Sequence, residues 1–180
     1  MLKSIKNFFR KRSIKKYSRA IPTGLVPLSD ISTVNVIIDV EEVGYDVLKE
    51  NILSWGRSMG LKVNIYFFDF RKLAKDELLL TSITNTITRR DLNWLGMPVH
   101  EKIATLFEEK SDLLISLIDN GDFPIDYIAQ CTQARFKIGR KAYLGHVYDM
   151  VISGKQTDGL RGGGGQVFAG ITEFLGKISK

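Results

Sequence analysis

Val34-Asn35-Val36-Ile37-Ile38-Asp39-Val40 is a β-branched run with almost no polar interruption. A strand of that composition is buried on both faces, as in a parallel sheet covered by helices on each side. The residues beyond it fit the same plan. From about Gly44 to Met59, the residues Leu48, Ile52, Trp55 and Met59 recur at helical spacing, and Gly60 closes the helix. Lys62–Phe70 (KVNIYFFDF) is then a second strand, entered directly from that glycine. Strand, helix, glycine and strand make a β-α-β unit.

Further along, Asp112–Ile118 (DLLISLI) reads as a third buried strand. Asp122 and Pro124 mark the start of a helix that carries Ile125, Ile128, Ala129 and Thr132 on one side. Phe136–Gly139 and Tyr148–Ser153 read as short strands. A glycine-rich stretch, Gly154–Gly165, leads to a last amphipathic helix with Val167, Ile171, Phe174, Leu175 and Ile178 inward. Between the second and third strands the pattern is less regular. Leu80–Ile87 reads as an edge strand, Asp91–Pro98 as a loop whose Trp94 and Leu95 plug the end of the sheet or, as the second reading, form a binding edge, and Val99–Lys110 as a helix. The alternation predicts an α/β fold, a three-layer Rossmann-like or flavodoxin-like sandwich with a mainly parallel sheet of about five or six strands. The expected organisation is a basic N-terminal arm and linker over 1–33 and a single α/β domain over 34–180.

The chain has 180 residues, a net charge of +6 and one cysteine. No apolar run approaches the roughly 20 residues of a membrane-spanning helix. Phe8 and Phe9 run straight into Arg10, Lys11 and Arg12, so the N-terminus lacks the apolar stretch of a secretory signal. With Cys131 expected as a buried structural thiol, these features point to a cytoplasmic protein. The charge is unevenly placed. Of the 26 Lys and Arg, 8 lie in the first nineteen positions; the remaining 18 face 20 Asp and Glu. The body is therefore near neutral, and the positive charge belongs to the arm.

Residues 89–98 (RRDLNWLGMP), 111–117 (SDLLISL) and 123–139 (FPIDYIAQCTQARFKIG) resemble a small bacterial family of uncharacterised α/β proteins with a basic N-terminus. That resemblance implies a fold and no chemistry. The DLLISL strand, its helix and the ARFKIGR strand are also similar to the first half of heptosyltransferase-type glycosyltransferases. What this implies is a shared strand-helix-strand architecture, since this chain has no second half to carry a sugar-nucleotide site.

Candidate sites are few. Lys3, Lys6, Arg10, Lys11, Arg12, Lys15, Lys16 and Arg19, interleaved with Phe8 and Phe9, can meet phosphates with charge and bases with rings. The same residues suit a partner protein complex or, ranked below it, an anionic membrane surface. Asp39, Asp69 and Asp119 fall at strand carboxyl ends, where ligands of parallel sheets collect; together they could hold Mg²⁺. Short acids there also cap helices. Gly162–Gly165 match neither a dinucleotide fingerprint nor a P-loop and read as a surface linker. His100, His146 and Cys131 form no recognisable nucleophile or zinc set. The reading that emerges is a non-catalytic adaptor attached through its arm to RNA, a ribonucleoprotein or a partner complex. It needs no cofactor and has no identifiable small-molecule substrate. The alternative is a small nucleotide- or Mg-binding enzyme using the three aspartates.

Overall fold

The computed structural model describes residues 2–18, 21, 23–25, 27–72, 81–82, 84–119, 122–141, 147–154 and 163–178. Its centre is a six-stranded, all-parallel sheet: β1 (Thr33–Asp39), β2 (Lys62–Asp69), β3 (Thr86–Thr88), β4 (Ser111–Ser116), β5 (Ala134–Gly139) and β6 (Met150–Val151). The order is β3-β2-β1-β4-β5-β6. β1 and β4 sit in the middle and are buried nearly end to end, as their β-branched and leucine-rich sequences require. The chain runs outward from β1 in both directions, so the topological switch point lies between β1 and β4.

Helices cover both faces. α2 (Tyr45–Met59) and α5 (Gly164–Lys177) pack on one through Leu48, Ile52, Val167, Phe168, Ile171 and Leu175. α3 (His100–Glu108) and α4 (Phe123–Cys131) cover the other through Ile103, Leu106, Phe107, Ile125, Ile128 and Ala129. The three-layer α/β reading holds.

Several local expectations change. Met59 is 45% exposed, and the α2 stripe ends instead at buried Gly56, where any Cβ would collide with Val63 Cγ2. The edge strand is only Thr86–Thr88; residues 73–80 and 83 lie outside the described ones. β5 starts two residues earlier than its apolar pattern, and β6 is reduced to Met150–Val151. The plug is split: Leu95 is buried, whereas Trp94 is 65% exposed. No helix among the described residues is long and apolar enough to cross a membrane.

Candidate polyanion-binding surface

Leu2–Tyr17 is a helix, α1, built largely from good helix formers. None of its residues is fully buried, yet it is fastened to the body along one stripe: Arg10, Ser13, Ile14 and Tyr17. Arg10 Nε donates to the Leu95 carbonyl at 2.7 Å, and the guanidinium lies 3.6 Å over the Phe123 ring. Burial pulls the Arg10 pKa down from its ordinary value, though an arginine so placed keeps its charge. The Ser13 and Tyr127 hydroxyls are 2.9 Å apart, and burial pushes the Tyr127 phenol up to about 12. The Tyr17 ring packs 5.5 Å from Phe107 and 5.6 Å from His100, and its carbonyl accepts from Gln133 Nε2 at 2.9 Å. Ile14 and Tyr17 thereby close the apolar layer beneath α3 and α4.

Anchoring through Arg10–Tyr17 fixes what the other side presents. Lys3, Lys11, Arg12, Lys15 and Lys16 are exposed and Lys6 is half-buried. None of these six meets an acidic partner among the described residues. Lys16 Nζ donates to the Tyr17 hydroxyl at 3.2 Å and lies 4.8 Å from the centroid of the same ring. Phe8 and Phe9 are 62% and 41% exposed, and Phe9 lies 6.2 Å from the Trp94 ring. Arg19 lies outside the described residues. The loop bearing Trp94 is tightly held. Asn93 Oδ1 accepts from the backbone N–H groups of Leu95 and Met97, and Gly96 takes a left-handed φ of 76° beside the Arg10 guanidinium.

The three strand-end aspartates are each engaged locally. Asp39 Oδ1 accepts from the Glu41 N–H at 2.8 Å, bracing the turn after β1. Asp69 is fully buried and takes a two-pronged contact from Arg71 at 2.8 and 2.7 Å. Strand alternation sets them apart: Asp39 follows Ile37 onto the α3/α4 face, and Asp69 follows Phe67 onto the α2/α5 face. Asp119 is over half exposed and lies 3.5 Å from Arg140 Nη2. Among the described residues no group of three or more His, Cys, Asp or Glu is arranged to hold a metal ion.

The switch point holds a different pair, missed in the sequence. Glu42 and Arg140 are 6% and 8% exposed and joined through Arg140 Nη1 at 3.1 and 3.0 Å. Arg140 Nη1 also donates to the Leu117 carbonyl, and Glu42 Oε1 accepts from Gly164 N–H at the start of α5. A carboxylate thus occupies the helix N-terminus where an anion is favoured. The surface-linker reading of the glycines fails at Gly164, which is buried inside α5; a Cβ there would sit 2.6 Å from Glu42 Oε1. Gly162 and His146 lie outside the described residues. Cys131 is buried, and burial lifts its thiol to about 12, against the pull of nearby Lys137. Such a thiol is inert.

A protein-family model described as a family of unknown function, DUF6913, matches residues 3–159. The chain belongs to this family. The matched span of the DUF6913 chain takes in α1 together with the sheet through β6, so the basic helix and the body fall within one family unit. No curated protein and no solved structure matches. The similarity to heptosyltransferase-type enzymes expected from the sequence is therefore not shown by any comparison. The sequence signal for α1's docking is the helical spacing of Arg10, Ser13, Ile14 and Tyr17, although Leu2, Ile5 and Phe8 are more apolar and lie exposed.

Proposed function

We propose that this DUF6913 protein is a non-catalytic attachment module whose α1 helix binds the phosphates of RNA within a ribonucleoprotein, while the α/β body acts as its rigid mount. One observation carries the reading: like-charged side chains stand one turn apart on a pinned helix, with no acid opposing them among the described residues. Lys11 with Lys15 and Arg12 with Lys16 are i,i+4 neighbours. Each such pair costs a few tenths of a kcal/mol. Lys3 and Lys6 add cations at the helix end where positive charge is disfavoured. That repulsion is relieved when an external polyanion lies along the helix and its counterions are released. The body, with 18 Lys and Arg against 20 Asp and Glu, carries no net positive charge of its own.

The test uses point substitutions, because deleting α1 would strip Ile14 and Tyr17 from the apolar layer as well as the charge. Lys11→Gln, Arg12→Gln and Lys15→Gln together leave every anchoring contact in place. The combined variant should melt like the wild type and lose most of its retention of cellular RNA. Equal RNA recovery from both proteins would overturn the proposal.

A further inference from the structure

Resting on that polyanion reading, we infer that Phe8, Phe9 and Trp94 form a stacking platform for unpaired nucleobases, so that the polyanion α1 selects is single-stranded RNA. Three observations converge on it. The rings form one chain in space, with Phe8 and Phe9 centroids 5.6 Å apart and Phe9 and Trp94 6.2 Å apart. They stand edge to face, at 78° and 68°, so no two of them are stacked flat on one another. Phe8 and Trp94 are 62% and 65% exposed, a costly state for large rings unless something covers them.

The platform is also preorganised. Trp94 sits on a loop held by Asn93 and by the Arg10–Leu95 hydrogen bond, and the same Arg10 pins α1 against Phe123. One arginine therefore fixes both halves of the surface relative to each other. Rings set on a rigid frame stack without a further ordering cost.

The surrounding charge distinguishes a nucleic acid strand from a lipid surface. A helix lying in a membrane gathers its apolar residues on one continuous face. On α1 the arc between Phe8 and Phe9 is occupied by Arg12, Ile5 and Lys16, so cations and apolar side chains alternate round the helix. Cations alternating with apolar side chains, rings among them, match a chain that offers phosphates and bases in alternation. Duplex RNA hides its bases and would use the cations only.

The experiment uses the full chain and a short unstructured RNA oligonucleotide, with tryptophan emission and anisotropy of labelled RNA as the two readouts. Trp55, the other tryptophan, packs against Phe168 on the opposite side of the sheet and serves as a silent reference. Binding should quench Trp94 without a blue shift. Trp94→Ala should weaken binding about 5- to 150-fold with an unchanged salt slope, and Trp94→Phe should retain most of the affinity. Phe8→Ala should weaken binding in the same sense. Inorganic polyphosphate should bind more weakly and leave Trp94 emission unaltered. If RNA and polyphosphate bind equally and Trp94→Ala changes nothing, the platform is refuted while the polyanion reading stands. If neither binds, both fall. A blue shift on phosphatidylserine vesicles, without quenching by RNA, also overturns the inference in favour of a lipid surface.

Discussion

Arg140→Met removes one half of the buried pair at the switch point, and its consequence can be worked from the surroundings. Glu42 would remain almost wholly buried, with its charge opposed, among the described residues, by the Gly164 N–H and the α5 N-terminus. Breaking a buried ion pair costs about 3–5 kcal/mol. The helix end returns roughly 1 kcal/mol of that. The expected loss is therefore about 2–4 kcal/mol, which for a chain of this size lowers Tm by roughly 5–15 °C. Glu42→Gln keeps an oxygen for Gly164 N–H while discarding the charge. The double variant Arg140→Met/Glu42→Gln should therefore be more stable than Arg140→Met alone. Thermal melts and denaturant unfolding of the four proteins give the coupling energy through a double-mutant cycle. A loss within about 0.5 kcal/mol for Arg140→Met, the range of ordinary surface changes, would refute the view that this pair ties β1, β5 and α5 together.

Gly139→Ala places a methyl group against the Tyr148 ring, which lies directly on that glycine. An overpacking cost of about 1–3 kcal/mol should appear as a lower denaturant midpoint. Asp126 has its carboxyl pKa raised by burial and then by Asp122, so its protonated form favours the fold. That stabilisation is present below the ordinary carboxyl range and lost as pH rises through the elevated value. Asp126→Asn should consequently gain stability relative to wild type between acid and neutral pH, and parallel pH–Tm curves would contradict it. Gly96→Ala must strain a left-handed backbone and press on the Arg10 guanidinium 3.0 Å away. It should loosen α1, read as faster proteolysis within the first seventeen residues at unchanged β-sheet protection.

The sheet was legible because buried parallel strands are written in local composition. Val34–Val40, Lys62–Phe70 and Asp112–Ile118 each fall on an observed strand to within two residues at either end. β6 and β3 were poorly legible, being edge strands of two and three residues that need no continuous apolar run. The polar pairings were invisible for a different reason. Glu42 and Arg140 are almost a hundred residues apart, and nothing near either announces the other. Asp39 and Asp69 looked convergent because both end strands, but the parity of each position decides which face it takes. Trp94 departs from the usual burial of tryptophan. Its loop, bridged from Leu92 to Pro98, turns Leu95 inward instead. The candidate surface itself was legible as charge; its anchoring through Arg10, Ser13 and Tyr17 required the structure.

Salt dependence of RNA binding tests the phosphate-binding role of α1 most directly. If Lys3, Lys6, Lys11, Arg12, Lys15 and Lys16 each neutralise a phosphate of a single strand, log K should fall against log salt with a slope near about −4. Replacing Lys11, Arg12 and Lys15 by Gln should reduce the magnitude of that slope by about 2. A slope near zero, or one unchanged by the three substitutions, would contradict the assignment of phosphate binding to this helix.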